Sequence, residues 1–188
     1  MGRRGVAMKT LWVRSPIDYD GTQIHSLWAY RTFGLQGDSI VAFQGGCEIP
    51  FPNMVDLEDV RRRSRIASPH MLHFIAEHFD LDLEKAVLRQ RLLSSLACDE
   101  LGSRVRRDGD DLFLGTGKLS ISIATLTAVS SKIHFGINVE RELHVDVETR
   151  SLRDLRVPTV PFARKILARY SAEMAGILDA RTRVRGVP

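Results

Sequence analysis

Two neighbouring stretches, 118–124 and 132–139, alternate with period two and constrain the chain more than any other feature in it. In the first, Leu119, Ile121 and Ile123 alternate with Lys118, Ser120, Ser122 and Ala124. In the second, Ile133, Phe135, Ile137 and Val139 alternate with Lys132, His134, Gly136 and Asn138. Successive side chains of a strand point to opposite faces. Each stretch therefore has one apolar face to set against helices and one face of small and polar residues. A solvent-facing strand normally carries longer or β-branched side chains that cover its backbone. Ser, Ala and Gly leave space instead, and Lys118, His134 and Asn138 place donors in it. The pair reads either as a wall against which a ligand lies or as the wet face of an antiparallel sheet.

The elements around this pair are mixed. Leu11 to Val13 read as a short strand. Asp20 is a cap for a helix over 21–33 that ends at Gly34, with Ile24, Leu27 and Trp28 on one side. Ser39 to Gln44 read as a buried strand broken by Gly45-Gly46, and Pro50 and Pro52 mark a loop. Ser68-Pro69 has the form of a helix start, and that helix is predicted to run to Phe79. Asp82 opens a helix to Leu101 whose leucines spread round the wheel, so it should be largely buried. Strands are predicted at 104–107, 111–114, 118–126 and 132–139, with turns at Asp108-Gly109 and Gly115-Thr116-Gly117. A last helix over 160–180 sets Phe162, Ile166, Tyr170 and Ile177 on one face, for the core or for a homodimer seam. Helices before and after a run of hairpins predict an α+β fold with a largely antiparallel central sheet flanked by helices. The 188 residues suit a single domain, 1–188, with flexible ends at 1–8 and 182–188.

Composition narrows the function classes. There are 27 basic and 23 acidic residues, a net charge of +4. The excess lies in the ends (Arg3, Arg4 and Lys9 at one, Arg181, Arg183 and Arg185 at the other), so the body gives no nucleic-acid signal and only the Arg-rich termini could supply one. Two cysteines, Cys47 and Cys98, make no disulfide framework, which points to a cytoplasmic protein. No apolar run reaches the roughly 20 residues of a membrane span, so no membrane role is expected.

The run Gly117-Lys118-Leu119-Ser120-Ile121-Ser122-Ile123-Ala124, followed by His134-Phe135-Gly136-Ile137-Asn138-Val139, resembles the central hairpin of the biotin and lipoate protein ligase superfamily. Over most of its length the chain resembles an uncharacterised archaeal and bacterial family of that superfamily. Leu27-Trp28-Ala29-Tyr30, Gly37-Asp38-Ser39-Ile40-Val41-Ala42-Phe43 and Met54-Val55-Asp56-Leu57-Glu58-Asp59-Val60 belong to that resemblance. It implies the fold shared with class II aminoacyl-tRNA synthetase catalytic domains. It also implies a small carboxylic acid, or its acyl-adenylate, as ligand, with ATP and Mg²⁺ as cofactors and a carrier protein as partner. Acyl transfer or ATP-dependent ligation would be the activity. Lys118 would be the catalytic residue, beside the substrate carboxylate and the nucleotide α-phosphate, where a fixed cation stabilises developing charge. Ser120, Ser122, His134, Gly136 and Asn138 would be ligand-binding residues, with Gly45 and Gly46 as a turn for an anion.

The chain departs from the ligases in one respect: Gln44-Gly45-Gly46-Cys47-Glu48 has two glycines and no arginine where the ligases carry an Arg- and Gly-rich loop. A non-catalytic binding or accessory protein of the same fold is the alternative. Cys47 could act as a nucleophile only beside a base such as His134. Asp56, Glu58 and Asp59 could meet Mg²⁺, and Arg61, Arg62, Arg63 and Arg65 could meet phosphate, or the two groups could pair at the surface. His70, His73 and Glu77 would share a face of the predicted 68–79 helix, which is taken as a solvent face and not as a metal site.

Overall fold

The computed structural model describes residues 8–143, 145 and 147–187; the termini expected to be flexible fall partly outside these, at 1–7 and 188. Its strands are β1 (Lys9–Trp12), β2 (Ser39–Glu48), β3 (Ala67–His78), β4 (Val105–Asp108), β5 (Asp111–Leu114), β6 (Gly117–Lys118), β7 (Ser120–Leu126) and β8 (Ser131–Asn138). Its helices are α1 (Trp28–Phe33), α2 (Leu57–Arg62), α3 (Leu83–Leu101), α4 (Leu152–Leu155) and α5 (Thr159–Ala180). The main sheet has the order β1-β2-β3-β8-β7, and β4, β5 and β6 form a second, three-stranded sheet. All pairings between named strands are antiparallel except β1 with β2. The fold is α+β, as expected.

Both faces of the main sheet are covered. On one, Ile40, Ala42, Leu72, Phe74, Ala76, Ile133, Phe135 and Ile137 pack with Leu93 and Ala97 of α3 and Phe162, Ile166 and Tyr170 of α5. On the other, Val41, Phe43, Met71 and Ile75 pack with Tyr19, Ile24 and Ala29. Fully burying a side chain such as Phe, Leu or Ile is worth about 1.5–3 kcal/mol, so these two layers dominate what holds the sheet. Asp82 caps α3 by accepting from Lys85 N at 2.9 Å. The apolar face of α5 packs within its own chain, while Ile177 beyond it is half exposed.

The predicted helix over 68–79 is strand β3. This strand lies between two neighbours, and both of its faces are buried from Met71 to His78. A strand covered on both sides shows a continuous apolar run, which periodicity does not separate from a helix. Pro69 sits where the register slips between Gly45↔Met71 and Cys47↔Ser68, at a bulge that needs no donor from it. The predicted helix over 21–33 is a 3₁₀ turn at Thr22–Ile24 followed by α1. Between them Leu27 takes a left-handed conformation, φ 62°, while its N–H donates to Glu77 Oε1 at 3.0 Å. That tertiary bond holds a conformation a helix would not allow. Strand β2 does not end at Gly45-Gly46 but runs through them to Glu48. α3 is less buried than its leucines suggest, with Leu83 and Leu88 exposed. Among the described residues, no helix is long and apolar enough to cross a membrane.

Candidate functional site

A cavity of about 460 Å³ opens on the face of the sheet away from α3 and α5. Its apolar wall comes from Ile24, Ile49, Ile66, Met71, Ile121 and Ile123, with Tyr19 and His134 beside them. Lys118 and Asp111 stand at one side, and Asp59, Arg62 and Arg65, from α2 and the chain after it, at another. The size is that of small-molecule sites, and the wall combines an apolar surface with many polar and charged groups.

Lys118 is aimed by backbone on both sides. Its N–H donates to Glu148 O at 2.8 Å and its carbonyl accepts from Arg150 N at 2.9 Å, so β6 lies between β5 and the 148–150 segment. Gly117 is required there, because a Cβ would come within 2.4 Å of Arg150 Cγ. Asn138 completes the clamp: Nδ2 donates to Arg150 O (3.1 Å) and Lys118 O (3.4 Å), and Oδ1 accepts from Ser68 Oγ. The ammonium of Lys118 meets Asp111 Oδ2 at 2.8 Å, both side chains being about one-third exposed. Burial pushes the Asp111 carboxyl above its usual range despite the lysine that pulls it down. The pair is therefore strained in the electrostatic sense: its carboxylate is poorly solvated and held mainly by one cation.

Alternation was expected to put Lys118, Ser120, Ser122 and Ala124 on one face. It does not, because Leu119 lies between two strands that belong to different sheets. Leu119 N donates to Leu112 O and its carbonyl accepts from Asn138 N. The phase slips there. Both Leu119 and Ala124 pack in the helix-side core, whereas Ile121 and Ile123 pack with the opposite layer. Ser120 Oγ accepts from Leu112 N at 2.9 Å. Ser122 Oγ donates to His134 O and accepts from Gln90 Nε2 of α3. Both serines border the cavity, but these hydroxyls serve the scaffold. Along β8 the expected alternation is correct: Ile133, Phe135 and Ile137 face the helices, and His134 and Asn138 reach the cavity. Gly136 is not among the lining residues; a Cβ there would come within 3.2 Å of His134 and 3.0 Å of Met71 Cε, so its bareness seats those side chains.

Gly45 and Gly46 also lie off the cavity wall. A Cβ on Gly45 would stand 2.0 Å from Ile17 O, and Gly46 N–H already donates to Asp18 Oδ1 at 2.8 Å. These glycines admit the crossing 17–19 segment, and their geometry does not fit a phosphate cradle. Nor do the nearby acids form a Mg²⁺ site: Asp56 caps α2 through Glu58 N, and Glu58 pairs with Arg62 at 3.2 Å. Among the described residues, no group of three or more His, Cys, Asp or Glu is arranged to hold a metal. His70 meets Glu140, while Glu77 meets Lys132, so β3 separates the groups that a helix would have aligned. Cys47 is buried, and burial pushes its thiol up to about 12, which keeps it protonated and unreactive.

Sequence reasoning missed Tyr19 and Asp111. Tyr19 stacks on His134 with ring centroids 3.7 Å apart, and His73 and Phe43 continue the stack. A loop tyrosine gives no sequence signal of such a partner. Asp111 begins a short hairpin strand, and only the β5–β6 pairing carries it to Lys118. Arg62 and Arg65, considered for phosphate, do reach the cavity, with exposed partners Glu58 and Glu48.

Residues 8–185 match the family described as a domain of unknown function (DUF366), and the chain belongs to that family. It is similar to an uncharacterised protein of Methanocaldococcus jannaschii, 40% identical over 176 residues that cover 89% of this chain and 80% of that one. Among solved structures it is similar to a protein of unknown function from Pyrococcus horikoshi, at TM-score 0.93 and 37% identity, covering 97% and 100% of the two chains. It also shares its fold with the biotin protein ligase of Aquifex aeolicus, at TM-score 0.59 and 12% identity over 93% of this chain and 72% of that one. The bipartite lipoate protein ligase of Thermoplasma acidophilum gives TM-score 0.53 and 16% identity, over 89% and 83%. At that identity the likeness to the ligases is one of fold.

Proposed function

We propose that this DUF366 protein binds a small carboxylic acid, or its preformed acyl-adenylate, in the cavity beside Lys118. The observation that carries the reading is the Lys118–Asp111 pair on the wall of a cavity that also offers an apolar surface at Ile24, Ile49, Ile66, Met71, Ile121 and Ile123. A carboxylate entering along Ile121 and Ile123 would find a cation whose present partner is already disfavoured as an anion by burial. Exchange of one carboxylate for another leaves the charge on Lys118 compensated. The isoleucines and Met71 would cover an apolar body. Arg62 and Arg65 hold their own partners only by exposed ion pairs, worth about 1 kcal/mol or less, and are free to turn to a phosphate. The ligase-like fold supports the same class of ligand.

Thermal shift with biotin, lipoate and octanoate, each alone and with ATP, tests this. A ligand at 100 times its Kd adds about 2.7 kcal/mol, and each kcal/mol moves Tm by roughly 2–4 °C in a domain of this size. No shift with any of the three acids defeats the reading. The locked Gly45-Gly46 segment supports binding without adenylation, so no acid-dependent exchange of pyrophosphate into ATP is expected. Exchange would reveal a nucleotide site other than that segment.

A further inference from the structure

The main sheet ends on one side at β1 and on the other at β7. Sheet edges in natural proteins are guarded by short length, charge, proline or cover, since unpaired backbone groups invite another strand. β1 is guarded: it is four residues long and begins at Lys9. β7 is not. Leu119 to Val129 contain no charge, proline or glycine, and the strand is partly exposed from Ile121 onward. Asn138 N donates to Leu119 O and Thr127 N to Ser130 O, so the odd residues of β7 turn their backbone groups to β8. Ser122, Ala124 and Leu126 turn theirs outward, where no described residue bonds them. Three N–H and three C=O groups thus stand in a row, ready for a partner strand.

We infer that β7 of a second copy covers this edge, antiparallel about a twofold axis at Ala124. That register pairs all three outward residues with one another: Ala124 with the partner's Ala124, and Ser122 with the partner's Leu126. The strand carries no charge, so like meets like without repulsion. Its two ends do have charged neighbours, and these are opposite in sign. Asp110 and Asp111 border the cavity beside Ser120 to Ile123. His25 and Arg31 border a second hollow, of about 520 Å³, beside Thr125 to Ala128. Asp110 accepts from Gln90 and, like Arg31, has no ion pair among the described residues. Antiparallel pairing brings the acidic end of each strand to the basic end of the other, which selects a second copy over an unrelated strand. On the cavity face the register sets the partner's Thr125 beside Ile123 and the partner's Thr127 beside Ile121. Ile121 and Ile123 line the cavity, so each copy supplies two threonines to the rim of the other's site. Both cavities then open on the same face of one continuous sheet.

Sedimentation velocity and amide hydrogen exchange of the full chain test this, and neither needs a ligand. A dimer is expected, with slow exchange at the amides of Ser122, Ala124 and Leu126 that becomes fast on dilution to the monomer. Ala124→Pro removes an outward N–H that β8 does not use, so the fold should be kept and the dimer lost. Leu126→Lys, at an exposed position, should also shift the dimer to monomer, and it decides the matter if the proline variant does not fold. Arg31→Glu should raise the dissociation constant of the dimer by up to about fivefold, and adding Asp110→Lys should restore it. A monomer at every concentration, a dimer with fast exchange at those three amides, or a dimer indifferent to the edge variants overturns the inference. No change with Arg31→Glu, or a loss that Asp110→Lys does not reverse, overturns the antiparallel register. The acids of the thermal-shift test play no part here, so failure of this interface and failure of the carboxylate reading are separate results.

Discussion

The Lys132–Glu77 and Lys118–Asp111 pairs differ in almost everything but chemistry. Lys132 and Glu77 pair at 3.0 Å with side chains 0% and 2% exposed. Glu77 is saturated: Oε2 takes Lys132, and Oε1 takes Leu27 N and Ser130 Oγ. Lys118 and Asp111 pair at 2.8 Å on the cavity wall, about one-third exposed. The first pair fastens β3 to β8 and holds the left-handed turn before α1. The second has a single strong bond and water or ligand within reach. Saturated partners make a structural pair; a lone, half-buried bond leaves a charge available.

The largest effect should come from breaking the buried pair. Lys132→Met leaves Glu77 as an uncompensated anion and should destabilise by about 3–5 kcal/mol in urea unfolding. Adding Glu77→Leu to it should recover part of that loss, although Leu27 N would remain unpaired. Strict additivity of the two substitutions would show that the pair is not coupled.

A comparable loss should appear on acidification, and it comes from the imidazoles and not from either lysine. Unfolded histidine binds a proton near pH 6.5, whereas native His73 does so only near 4. Between those values the unfolded state holds more protons, so stability is full above about pH 6.5 and falls as the pH is lowered towards 4. His134 acts in the same direction. Each unit of difference is worth about 1.4 kcal/mol per group. Denaturant midpoints across that window should drop steeply in the wild type and less so in His73→Phe; equal slopes would remove His73 from the account.

The comparison also explains what was legible in the sequence. Helices α3 and α5 and the hairpins from Val105 to Asn138 are written in local signals: a cap at Asp82, a one-sided apolar stripe, and Gly-containing turns. Lys118 could be picked out because it follows one of those turns. β3 was not legible, since burial on both faces erases the alternation that marks a strand. The slip at Leu119 was not legible either, because it arises where two sheets meet and no local residue announces it. Asp111, Tyr19 and the His73–His134 bond depend on pairings between distant segments, and composition has no access to those.

Asn138→Ala should have an intermediate effect, since it removes the bonds that join Lys118, Arg150 and Ser68. Leaving such groups unmet costs about 1–3 kcal/mol, and the freed Lys118 should lose affinity for acids along with stability.

The smallest effect on stability, and the sharpest test of the contrast, is Lys118→Ala. An exposed or half-exposed ion pair contributes at most about 1 kcal/mol. Asp111 gives up part of even that, because burial opposes its charge. Urea unfolding of Lys118→Ala at pH 7 should therefore lie within about 1 kcal/mol of the wild type, while the thermal shift produced by a bound acid should shrink or vanish. A loss as large as that of Lys132→Met would place Lys118 with the structural lysine. Unchanged affinity for the acid would assign the carboxylate to Arg62 or Arg65 instead, the other cations that line the cavity among the described residues.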